Sequence, residues 1–181
     1  MKTRDECRSL SENSSSFYVK EIIVNGFNVE IYNYRMATYD DFLNNNAFEL
    51  RGLTFVQDNF GNYERFLSIN KFFNLNEVPE WNYDILIHKD ILHVQEKLDG
   101  SLISFVRFPD GSIMAKSKMS FESIQAQMAQ EIINTSPELY SFVKDMIDSR
   151  RYPLFELTSY LNQVVVPVSY THLTLPTTPY V

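Results

Sequence analysis

Cysteine is nearly absent. Cys7 stands alone, so no internal disulfide can form, and the chain is expected in a reducing cytoplasm. With three histidines and that one thiol, there is no Cys/His cluster of the kind that holds zinc. No apolar run reaches the length of a membrane span, so no membrane association is expected. The first residues are charged and Ser-rich, without the apolar centre of a signal peptide. Basic charge is also scarce: the net charge is −7 and the isoelectric point near 5.0. A protein that grips nucleic acid by overall charge is basic. Any nucleic-acid role must therefore rest on a local site.

What is present describes a folded domain. The 181 residues are 44% hydrophobic and 14% aromatic, enough for a real core. Residues 1–17 are polar and read as a flexible arm or a frayed helix. Residues 18–24 and 27–36 flank Asn25-Gly26, a hairpin turn pair, and place Tyr32 and Tyr34 on one strand face. Thr38 is a helix N-cap with acids in the first turn. Residues 48–55 read as a strand, and Arg51 stands among its apolar residues either as half of a salt bridge or as a planar phosphate donor. Residues 91–96 read as a strand ending at Lys97. Asp110-Gly111 turns a second hairpin, whose return strand carries Lys116 and Lys118 on one face. Such lysines either line a solvated edge or point at one phosphate. Ser120 is read as the cap of a helix with Ile124, Met128 and Ile132 inward. Ser136-Pro137 opens another, with Leu139, Phe142, Val143, Met146 and Ile147 as its apolar face. In residues 154–157, Glu156 places one carboxylate in an apolar strand, where a charge needs a partner.

The stretch around Lys97 organises the rest. Glu96-Lys97-Leu98-Asp99-Gly100-Ser101-Leu102 has a lysine followed by Asp, Gly and Ser. Lysine is a nucleophile only as the neutral amine. Gly100 lets backbone approach a phosphate closely, and Asp99 can orient the amine or hold a metal. Read locally, Asp99-Gly100 is also a plain hairpin turn.

The stretch resembles the lysine motif of the covalent nucleotidyltransferases, which include ATP-dependent ligases and mRNA capping enzymes. Further blocks narrow the resemblance: the Tyr-rich strand with Ala37-Thr38-Tyr39, Glu49-Leu50-Arg51-Gly52-Leu53-Thr54-Phe55, Asn70-Lys71-Phe72-Phe73-Asn74-Leu75-Asn76-Glu77, Ala115-Lys116-Ser117-Lys118, and Phe155-Glu156. Together they resemble the N-terminal part of the phage-type, T-even-like tRNA-repair RNA ligases, over residues 18–166.

That resemblance implies an α+β adenylation domain, an antiparallel sheet with flanking helices, truncated here. It implies ATP and Mg²⁺ as cofactors and broken or nicked tRNA as the partner of the full-length protein, a monomer acting in the cytoplasm of a phage-infected cell. It makes Lys97 the AMP acceptor with Asp99 beside it, and Glu156 the holder of the ribose. Arg51, Lys71 and Lys118 would serve the triphosphate. Phe73 and Gly100 would shape the pocket, and Tyr34, with Tyr32 second, would touch the nucleotide. No residue is assigned as a metal ligand. DNA ligases and capping guanylyltransferases share the lysine motif and remain alternatives. So does a module that binds nucleotide or RNA without catalysis.

The family continues beyond Glu156 with a second Glu-Gly segment and a Lys-x-Lys pair that are not found here. Residues 162–181 hold no Asp, Glu, Lys or Arg. Residues 168–181 read as a non-native, adapter-derived tail, leaving 18–167 as a partial adenylation domain. A fragment of this kind is expected not to seal RNA.

Overall fold

The computed structural model describes residues 1–158, together with the backbone of 172–174. The architecture is α+β, but with two four-stranded antiparallel sheets rather than the one expected. The first has the order β1-β2-β3-β4, from Phe17–Val24, Phe27–Tyr34, Leu53–Gln57 and Tyr63–Phe66. The second has the order β6-β5-β7-β8. There β5 is Ser101–Arg107, β6 Ile113–Lys116, β7 Leu154–Thr158 and β8 His172–Thr174.

Turn chemistry sets the hairpins. Asn25 and Gly26 both have positive φ, 50° and 84°, matching the right-handed twist of the strands they join. The β1–β2 register then pairs Val24 with Phe27 and Phe17 with Tyr34. Alternation on β2 sends Val29 and Ile31 to one side and Glu30 and Tyr32 to the other, and all four are buried. The first sheet is therefore covered on both faces.

One face of β2 joins the second sheet. Val29, Ile31, Val56 and Phe66 share a core with Ile103, Phe105, Phe108, Phe155 and Leu157. Helices α4 (Ile124–Thr135) and α5 (Pro137–Asp148) close the same core with Ala129, Ile133, Val143 and Ile147. The Ser136-Pro137 start of α5 is as expected. The cap of α4 is Ser123, not Ser120, and its buried face is Ala126, Ala129 and Ile133. Ile124, at the first turn, is 66% exposed.

The other face of β2 is covered by the N-terminal residues. Of the two expectations for them, a loose arm or a frayed helix, the helix forms: Arg4–Asn13 is α1, ordered rather than frayed and closed by a capping box between Thr3 and Glu6. Cys7 is buried beneath it with Phe17, Phe42 and Leu53. Arg4 and Arg8, one turn apart, both reach the Glu30 carboxylate: Arg4 Nε donates to Oε2 at 3.0 Å and Arg8 Nη2 to Oε1 at 2.6 Å. The Tyr32 hydroxyl donates to Oε2 at 2.6 Å. Burial pushes the Glu30 carboxyl up, but the bonds from Arg4, Tyr32 and Arg8 outweigh it and hold it below the usual range. A lowered carboxyl stabilises the fold above its ordinary value near 4.5, and that contribution is lost as pH falls through the native value. Glu30→Gln should remove the buried carboxylate that Arg4 and Arg8 share, leaving them only the exposed Asp5 and Glu21, and cost about 2 kcal/mol, the scale of a hydrogen bond to a charged group. A urea melt at pH 7 checks this, and equal midpoints would refute it. The same variant should also be less sensitive than the wild type to acid between pH 5 and 3.

Helix α2, Tyr39–Asn45, starts at Thr38 as expected and ends on Asn46 in the left-handed conformation. Between β4 and β5 the described chain holds only a single turn, Pro79–Trp81, and the short α3, Tyr83–Leu86. Residues 91–96 form no strand. Ile91, Leu92 and Val94 are exposed. Apart from the backbone of 172–174, the segment 168–181 lies outside the described residues.

Candidate active site

Gly100 is the pivot of the site. It enters β5 directly, so Asp99-Gly100 is not the turn of a hairpin. A Cβ on Gly100 would lie 2.3 Å from the Leu157 carbonyl oxygen and 3.2 Å from Glu156 Cγ. The glycine is thus required for close approach to the β7 backbone; φ there is not in the left-handed region. This is a reason for glycine independent of the expected approach of a phosphate. The contact sets Lys97 and Asp99, just upstream, against Glu156. The Gly100 N–H donates to the Glu156 carboxylate, and Lys97, Asp99 and Arg51 all act on its charge. Burial dominates and raises the Glu156 carboxyl above its ordinary range, with Lys97 pulling the other way. Glu156 is half-buried, whereas Lys97 is exposed.

Arg51 comes from the first sheet. It lies in the bend before β3, not inside a strand. Its Nε and Nη1 are buried without a hydrogen-bond partner, and the guanidinium sits 4.9 Å from the Phe72 ring centroid. The salt bridge offered as its bland explanation is absent among the described residues. Buried donors are rarely left unpaired, so this pair of N–H groups has the character of a site for an external acceptor.

Gly52, next in sequence, has φ +86° and donates its N–H to the Tyr32 carbonyl at 2.9 Å. A Cβ there would meet the Lys118 carbonyl oxygen at 2.6 Å. The Lys118 residue is exposed, but its carbonyl and the base of its side chain lie against Gly52. Burial, and then Arg51 nearby, hold its ammonium below the usual lysine range. That ammonium sits 5.4 Å from the Tyr34 ring centroid.

Lys116 differs from Lys118. Strand β6 ends at Lys116, so the alternation that grouped the two does not extend to Lys118. The Lys116 side chain is fully buried and donates to the carbonyls of Gly52 and Lys118, each at 3.1 Å. It neither lines a solvated edge nor faces an open phosphate site.

The Lys71 block sits on an aromatic cluster. The Phe73 ring packs against Tyr39, Phe42 and Phe48 at 5.2, 6.1 and 6.3 Å. Tyr34 meets Phe42 edge-on at 4.8 Å and so links this cluster to Lys118. Lys71 Nζ lies 4.0 Å from the Phe73 centroid, donates to the Phe72 carbonyl at 2.7 Å, and approaches Glu77 at 3.9 Å. Lys71 is thus held within its own segment rather than beside Glu156. Tyr32 is fully buried with its hydroxyl on Glu30 and belongs to the core.

Two cations, a lysine and two carboxylates thus meet where the two sheets join, flanked by aromatic rings. A separate depression of about 320 Å³, lined in part by Tyr63, Arg107 and Arg150, shares no residue with this group.

Residues 49–177 match the family model described as RNA ligase. The chain belongs to the RNA ligase family. The matched span holds Arg51, Lys71, Phe73, Lys97, Asp99, Gly100, Lys118 and Glu156; Tyr34 precedes it. It also runs past residue 167, where the sequence reading drew a boundary. A curated relative, the "Putative RNA ligase" of Thermovibrio ammonificans, is 29% identical over 119 residues. That match covers 66% of this chain and 30% of the relative, so the chain spans about a third of the relative's length. Among the described residues, no three His, Cys, Asp or Glu side chains gather as a metal cluster. No helix among them is long and apolar enough to cross a membrane.

Sequence reasoning missed the sheet-joining role of Lys116 and the stacking of Phe72 on Arg51. A lysine ending a strand of otherwise apolar residues was the available signal for the first.

Proposed function

We propose that this chain carries the nucleotide-accepting lysine of an ATP-dependent RNA ligase. The observation behind the proposal is the unpaired, buried Arg51 N–H pair, set beside Lys118 and across from Lys97 and Glu156. A planar guanidinium and an ammonium in a partly desolvated place suit phosphate oxygens. The Lys97 amine attacks the α-phosphate of ATP. A nitrogen–phosphorus bond forms, pyrophosphate leaves with the bonding electrons, and the amine loses its proton. The AMP next passes to a 5′-phosphate of RNA, freeing Lys97. A 3′-hydroxyl then attacks that activated phosphate, expelling AMP and sealing the strand.

Glu156, central on β7 and bonded by the Gly100 N–H, holds the ribose edge, and Tyr34 and Phe73 support the pocket wall. Mg²⁺ accompanying ATP offsets phosphate charge. Asp99 would be the carboxylate nearest to such an ion, which takes one or two carboxylates alongside phosphate oxygens. In this reading the fold is the adenylation domain of the covalent nucleotidyltransferases. The substrate is broken tRNA in a phage-infected cell, and the protein acts as a monomer. The complete sealing reaction belongs to a protein of the relative's length.

Incubation with α-labelled ATP and Mg²⁺, followed by a denaturing gel, tests the proposal. An acid-labile label on the chain, or on the product of its natural gene, is expected. Labelling by GTP in place of ATP would indicate a capping guanylyltransferase, and activity only on DNA ends a DNA ligase. Noncovalent ATP binding with no label would leave a catalytically dead module. Arg51→Gln should weaken ATP binding by roughly tenfold to a hundredfold, the scale of one charged hydrogen-bonding group. Its melting temperature should stay near that of the wild type. An unchanged dissociation constant would remove Arg51 from the site.

A further inference from the structure

Lys116 is buried, lacks a counter-ion among the described residues, and sits one layer behind the site. Its two acceptors are backbone carbonyls from different sheets. Gly52 follows Arg51 in the first sheet, and Lys118 follows β6 in the second. At both residues the neighbouring atoms are already tight. The Gly52 Cα carries no Cβ because the Lys118 carbonyl occupies that space.

We propose that Lys116 is a positioning residue whose charge also responds to nucleotide. It ties the Gly52 and Lys118 carbonyls together, and so fixes the spacing of the Arg51 and Lys118 side chains on the triphosphate. The inference rests on the ligase reading of that site.

The surroundings define its charge. Across the β5–β6 ladder it faces Ser104. The charged groups nearest to it are cations, Arg51 beside Gly52 and Lys118 on its own run, with Tyr34 under the Lys118 ammonium; the Glu156 carboxylate lies farther off on β7, beyond β5. Helix α4 packs on β6 with Gln130, which accepts from the Ala115 N–H, and the only acid of α4, Glu131, is exposed. Burial pushes the Lys116 ammonium down to about 7. A neutral amine still has two N–H groups for two carbonyls, so the tie survives deprotonation while the charge is lost. A triphosphate arriving at Arg51 and Lys118 favours the charged form. Binding therefore draws a proton onto Lys116, and affinity rises as pH falls through 7 and levels off below it.

Calorimetric titration with a non-transferable α,β-methylene ATP tests this. Runs at pH 7.5 in two buffers of different ionisation enthalpy count protons. The wild type should take up roughly half a proton more than Lys116→Met. The nucleotide's own phosphate proton appears in both and cancels. Lys116→Met should bind about tenfold more weakly. Lys116→Arg should restore affinity without the proton uptake, which a purely structural role would not distinguish. Should the variants fail to fold, affinity of the wild type between pH 6 and 8.5 still decides, because a flat profile overturns the inference. Equal affinity and equal proton uptake in folded Lys116→Met overturn it as well. A wild type that binds no nucleotide at any pH overturns the ligase reading, and this inference with it.

Discussion

Lys97→Ala is expected to abolish covalent labelling by ATP, lowering it by more than about 10³-fold, the scale seen when a nucleophile is removed. Lys97→Arg should fail equally. A guanidinium keeps the charge but stays protonated and offers no free electron pair for the phosphorus. Noncovalent ATP affinity should change far less in both variants, since Arg51 and Lys118 remain. Lys97 is exposed, so melting temperatures should match the wild type. This pattern separates the nucleophile from a lysine that merely attracts phosphate. In the latter case, Arg would substitute for Lys and labelling would survive. Label retained in Lys97→Ala would place the acceptor elsewhere and end the proposed mechanism.

Gly100→Ala should be, with Gly52→Ala, among the most damaging single-carbon changes at the described residues. Its Cβ would meet the Leu157 carbonyl oxygen at 2.3 Å and the Leu157 carbonyl carbon at 3.0 Å. Both are backbone atoms of β7, bonded into a ladder with β5, so neither can rotate away. The ladder must open at its first rung, where Ser101 pairs with Leu157. Overpacking of this kind costs about 1–3 kcal/mol, or a fall in melting temperature of roughly 3–10 °C at this chain length. The same movement pushes the Glu156 carboxylate away from Lys97 and Asp99, so AMP labelling should drop with stability. A calorimetric scan and the labelling gel together give the answer. If Gly100→Ala melted normally but bound no nucleotide, the glycine would serve the phosphate after all, as the sequence alone suggested.

Local signals read correctly wherever a few adjacent residues decide the structure. Asn25-Gly26, the Thr38 cap and Ser136-Pro137 each impose their geometry within one turn of chain. Helix α1 reads in sequence only as an arm or a frayed helix, because what anchors its polar face is Glu30, 26 residues from Arg4. Its arginines look solvated until β2 presents a buried carboxylate. Residues 91–96 have the composition of a strand, but composition supplies no partner edge. At the site, Lys97, Glu156, Arg51 and Lys118 could each be named from motifs. Their convergence depends on how two sheets dock, which no window of sequence contains. Lys116 shows the same limit in reverse: its strand position is legible, but the carbonyl that receives it is 64 residues away.

That docking has a thermodynamic side. Arg51 belongs to one sheet, while Lys97, Lys118 and Glu156 belong to the other. A nucleotide that touches all four is a ligand of the docked arrangement alone. By mass action, nucleotide at a hundred times its dissociation constant would add about 2.7 kcal/mol to that arrangement against any state in which the sheets have separated. ATP would then be a fastener of the architecture as well as a reactant. Consuming it at Lys97 would exchange a mobile fastener for one tethered on the second sheet.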